Sequence, residues 1–74
     1  MAREKLIVDK KEWTKKYELY IARHMFEGLK DKDGKLLTWE DIGSIFGVTR
    51  MAILLKRKRK GEQYFRNIYD QYLS

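Results

Sequence analysis

A chain of 74 residues with no cysteine and one histidine has material for a single domain, held together by packing rather than by disulfides or a Cys-based zinc site. Its net charge of +6 is localised: residues 50–60 hold six of the 17 Lys/Arg and no acid, and the remaining eleven bases are matched by eleven acids. A basic block beside a neutral scaffold suits a polyanionic partner, and the short apolar runs exclude a helical membrane span of roughly 20 residues.

From the N-terminus, Leu6-Ile7-Val8 reads as a short strand or a hydrophobic arm. Three apolar residues between charges do not make a secretory signal, so the expected setting is cytoplasmic. Asp9 has the character of an N-cap, with Glu12 at capping-box spacing. Trp13, Tyr17, Tyr20, Ile21 and His24/Met25 then recur at three- and four-residue steps, which predicts an amphipathic helix from Lys10 to a stop near Gly28. Leu19, Ala22 and Phe26 form a second apolar line, so this helix is expected to pack against more than one neighbour.

Residues 30–35 form a charged loop, with Asp33-Gly34 as the tip of a small hairpin between Leu29 and Leu36-Leu37. A calcium loop is excluded by spacing: Gly34 stands at the wrong distance from Asp31, and no Glu occupies the bidentate position.

Thr38 next reads as an N-cap, followed by Glu40 and Asp41 where acids favour the helix dipole. Ile42, Ile45 and Phe46 supply the apolar face of a short helix, Gly47 a tight turn and Thr49 a second cap. A helix from Arg50 to Lys60 stops at Gly61. A last helix from Glu62 carries Phe65, Ile68, Tyr69 and Tyr72 at i, i+3, i+4 and i+7, with Tyr64 and Leu73 at its margin. The expected fold is therefore all-α: a small bundle of about four helices spanning residues 1–74, with the N-terminal segment or the 29–37 loop as the only β element.

The stretch Leu37-Thr38-Trp39-Glu40-Asp41-Ile42-Gly43-Ser44-Ile45-Phe46-Gly47-Val48-Thr49-Arg50-Met51-Ala52-Ile53 resembles the helix-turn-helix of bacterial and phage transcription regulators. Gly43 is small where the two helices approach, Gly47 makes the turn, Val48 plugs the space beneath it, and Ile53 points back at Ile42 and Phe46. The resemblance, over about residues 38–60, implies a second helix that lies in the DNA major groove. Carried over position by position, the base-reading residues are Thr49, Arg50 and Met51, then Leu54 and Leu55 one turn later. A guanidinium such as Arg50 grips guanine O6 and N7 together, and Met51 and Leu54 suit thymine methyls. Lys56 stands where the family carries an apolar core residue. Leu54 and Leu55 have a second reading, in which they pack on the last helix or on a second subunit.

The block Lys56-Arg57-Lys58-Arg59-Lys60 points around the helix axis, so two or three of its side chains can reach one DNA backbone at once. With Thr38, it completes the expected DNA-contacting set of Thr38, Thr49, Arg50, Met51, Leu54, Lys56, Arg57, Lys58, Arg59 and Lys60. The expected partner is double-stranded DNA, in a bacterial or phage-infected cell. A homodimer through Phe65, Tyr69 and Tyr72 of the last helix would double the contacts. A small module docking on a host regulator or polymerase is the alternative; RNA binding is a weaker one, because no RNA-recognition aromatic signature is present. No enzyme, metal or cofactor is expected: His24 lies on the apolar stripe without a Cys partner, and adjacent Glu40 and Asp41 diverge on a helix.

Overall fold

Four helices run in chain order through the computed structural model, which describes residues 10–74: α1 (Lys10–Phe26), α2 (Trp39–Phe46), α3 (Arg50–Lys60) and α4 (Glu62–Leu73). The expected strand or arm at Leu6-Ile7-Val8 and the Asp9 cap lie outside the described residues. Among those described there is no strand; Lys30 and Leu36 form one isolated antiparallel bridge. The expected hairpin is present in minimal form: beside that bridge the Leu37 N–H donates to the Leu29 carbonyl (2.9 Å) and the Asp31 N–H to the Lys35 carbonyl (2.8 Å). Asp31 also organises its tip, its carboxylate accepting from the backbone N–H of Asp33 (2.8 Å) and of Lys35 (2.9 Å).

The core draws on every helix: Tyr17, Ile21 and Ala22 of α1, Ile42 of α2, Ile53 of α3 and Phe65 of α4 are buried together. Both apolar lines of α1 are used. Trp13, Tyr17 and Tyr20 surround the Phe46 ring of α2, with centroids 5.9, 5.3 and 5.1 Å away. On the other side Phe26 stacks on Tyr69 of α4 at 5.5 Å. The aromatic stripe of α1 is thus core, and aromatic burial of this kind supplies large area per residue in a small domain. The radius of gyration is 13.2 Å.

Ile45 departs from the expected apolar face of α2, because it is exposed. At about 100° per residue, the inward face of this eight-residue helix is set by Trp39, Ile42, Gly43 and Phe46, and Ile45 falls beyond its edge.

Candidate nucleic-acid interface

The segment from Thr38 to Lys60 is built from local signals that each find a partner. The Thr38 hydroxyl accepts from the Asp41 N–H (3.1 Å) while the Asp41 carboxylate accepts from the Thr38 N–H (2.9 Å), a reciprocal capping box at the start of α2. Gly47 closes α2 with φ +73°, a left-handed conformation that glycine adopts without a Cβ penalty. The Val48 N–H returns to the Gly43 carbonyl at 2.9 Å. Gly43 is small for this reason: a Cβ there would sit 2.5 Å from the Val48 carbonyl oxygen. The close approach is thus to the turn backbone rather than to α3. Thr49 caps α3, its hydroxyl accepting from the Ala52 N–H at 3.1 Å. Ile53, fully buried, ties α3 to the core beside Ile42, and Phe46 packs against the same cluster. α2 and α3 are therefore fixed to one another by the three-residue turn 47–49 and by shared core contacts.

The basic residues of α3 divide by face. Ile53, Lys56, Arg57 and Lys60 stand at i, i+3, i+4 and i+7, so three of the cations lie along the helix stripe that faces the bundle. Lys56 pairs with the buried Glu18 at 3.1 Å, the two side chains only 17% and 11% exposed, and its ammonium lies 5.6 Å from the Tyr17 ring centroid. Glu18 also accepts from the Tyr64 hydroxyl at 2.7 Å, which with burial raises the Tyr64 phenol above its ordinary pKa. Lys56 therefore closes a polar network linking α1, α3 and α4, and its charge is spent inside the fold. Arg57 lies over the Trp39 ring at 4.8 Å, half-buried, with its Nε shielded and unpaired. Lys60 is exposed but rests over Tyr64 at 5.1 Å.

Lys58 and Arg59 point the other way, whereas Arg50, three positions before Ile53 and seven before Arg57, starts the bundle-facing side at the first turn of the helix. All three are exposed and have no ion pair or hydrogen bond among the described residues. Met51 and Leu55 lie between Lys58 and Arg59 around the helix, 56% and 57% exposed. Leu54 is half-buried in a shallow cleft with Met25, Arg57, Lys58 and Glu62, which puts it against the scaffold rather than on the outer face. Thr38 and Thr49 are exposed at the two helix starts, each already engaged in its cap. The structure thus gathers Met51, Leu55, Lys58 and Arg59 on one face of α3, leaves Arg50 exposed at the helix start on another side, and turns Lys56 into the fold.

Two further groups escape sequence reasoning. Trp39 is sandwiched between Arg57 and His24, whose ring meets it edge-on at 4.6 Å. His24 Nδ1 accepts from the Leu29 N–H at 3.0 Å. Burial holds the imidazole below its usual pKa, and the Arg57 charge adds to this against an opposing hydrogen bond to the Leu37 backbone. Nothing in the spacing of these residues brings them together; only the tertiary fold does. Among the described residues no group of three His, Cys, Asp or Glu could hold a metal ion, and no helix is long and apolar enough to cross a membrane.

Comparison with family models, curated proteins and solved structures finds no match to this chain.

Proposed function

We propose that this protein binds double-stranded DNA through α3, in the manner of a helix-turn-helix transcription regulator of bacteria or phages, with α2 bracing against the backbone. The observation that carries the reading is the free charge of α3: Lys58 and Arg59 on its outer face and Arg50 at its first turn are exposed, unpaired and without an acid on the same helix. A helix that stands on a three-residue turn and presents unpaired cations has the shape and charge for the major groove. Lys58 and Arg59 hold phosphates, and Arg50, at the helix start, is the base reader. A homodimer through the outer edge of α4 completes the proposal. Phe65 is withdrawn from that interface because it is fully buried in the core of its own chain.

Fluorescence anisotropy on a mixed-sequence duplex, from low to near-physiological salt, tests this. The expected result is a log affinity that falls linearly with log salt, with a slope near 0.9 per phosphate neutralised and roughly two to three phosphates per chain. Absence of binding at low salt overturns the reading. One observation favours a second reading, a protein-docking module: Met51 and Leu55 are large apolar side chains left in water on the same face. That reading gains if Arg50→Ala leaves partner capture intact and no duplex is bound.

A further inference from the structure

The outer face of α3 is not uniformly basic. It carries an apolar ridge, Met51 and Leu55, with Lys58 and Arg59 on either side of the ridge line towards its C-terminal end. The two ridge residues are separated by four positions, so they share a face and stand about 6 Å apart along the axis. No element of the described fold covers them. Phosphates offer such side chains nothing, and most base edges in the major groove present hydrogen-bonding atoms. The one apolar projection there is the C5-methyl of thymine. Successive base pairs rise about 3.4 Å, so a 6 Å spacing spans close to two steps.

We infer that α3 reads thymine methyl groups, Met51 and Leu55 each covering one, at two positions about two base-pair steps apart, while the flanking cations secure the backbone. The inference rests on the DNA reading above and adds its base preference. The charge pattern supports it: the unpaired cations Lys58 and Arg59 flank the line of the ridge on either side, so whatever it meets carries negative charge beside an apolar point. Duplex DNA has that arrangement in the groove, methyl on the floor and phosphates on the rims.

The test uses the full chain and a duplex selected from a random pool, synthesised once with thymine and once with uracil throughout. Removal of a buried methyl weakens binding about fourfold, so loss of both contacts gives about 15-fold weaker binding to the uracil duplex. Met51→Ala/Leu55→Ala, at exposed positions where the fold tolerates change, is expected to bind the two duplexes equally while keeping the salt slope of the unaltered chain. Equal affinity of the unaltered chain for both duplexes, with the salt slope present, overturns the methyl inference and leaves the DNA reading standing. Discrimination that persists in the double variant also overturns it, because the methyl is then sensed elsewhere or through duplex shape. Failure to bind either duplex at low salt removes the DNA reading and this inference together, and leaves the ridge to an acidic protein surface.

Discussion

Lys56 shows how one residue can belong to two patterns. In sequence it opens a run of five bases; in space it is one helical turn from Ile53 and neutralises Glu18. A carboxylate so well shielded needs its partner, and removing one member of such a pair leaves an uncompensated charge. Lys56→Ala is therefore expected to cost about 1–3 kcal/mol in urea denaturation. The double change Lys56→Met/Glu18→Gln, which removes both charges, should come within about 1 kcal/mol of the parent. On DNA the same double variant should keep the salt slope, whereas Lys58→Ala and Arg59→Ala should each lower it by about 0.9. A drop in slope for the double variant would put Lys56 on the phosphates after all. Gly43 is a second decisive residue. A methyl placed 2.5 Å from a backbone oxygen cannot be relieved by rotating a side chain. Gly43→Ala is expected to destabilise by about 1–3 kcal/mol, read as a lowered thermal midpoint.

At the scale of elements, the helix boundaries were legible wherever a signal was local. Thr38 with Asp41, Gly47, Thr49 and Gly61 each mark a helix end, and each works within a few residues of itself in the structure. What was not legible is which face turns inward. α3 buries one apolar side chain completely, Ile53, and fills the rest of its inward stripe with Lys and Arg stems over Tyr17, Trp39 and Tyr64. Long basic side chains can cover apolar surface while keeping their heads in water, so the charge run alone could not tell inward cations from outward ones. The odd placement of Lys56 at an apolar position of the motif was the one signal available. The segment between α1 and α2 was hidden for a different reason. Its ends are tied by His24, through the Leu29 N–H and the Leu37 backbone, with Trp39 and Arg57 packed alongside. Only a neutral imidazole can accept at Nδ1. Because burial lowers its pKa, the folded state takes up this proton at lower pH than the unfolded chain does. The contribution of His24 is then complete above about pH 6.5, declines as the pH falls below that, and levels off below the folded value. The thermal midpoint should fall between pH 7.5 and 5.5, and His24→Asn, whose amide oxygen can still accept from Leu29, should flatten that dependence. A flat profile in the parent chain would mean that the imidazole bears no net cost on protonation.

Taken as a whole molecule, the protein keeps its net charge of +6, but fewer cations of the 50–60 block are free for a partner than the sequence suggests, because the fold uses Lys56 internally and shelters Arg57. The DNA-facing surface of one chain is short, and single modules of this kind bury only about 600–1,000 Å² on DNA. Two copies on a two-fold site would double both phosphate neutralisation and base contacts, with half-sites about 34–36 Å apart. The surface left for such pairing is the end of α4, where Tyr72 and Leu73 remain 43% and 62% exposed, beside a shallow cleft formed with Leu19 and Ile68. Tyr69 contributes less than its position in the helix suggests, since its ring is stacked on Phe26 and its hydroxyl donates to Glu27 at 3.0 Å. Light scattering on the free chain and on a palindromic duplex is expected to give two chains per duplex with cooperative binding. Tyr72→Glu/Leu73→Glu, which adds charge to that edge, should abolish the cooperativity while a single half-site is still bound with unchanged affinity. A strictly single-chain mass both free and on DNA would rule out the α4 pairing. Cooperativity that survives in the charged variant would move the interface elsewhere, with exposed Ile45 on α2 as the next apolar surface to alter.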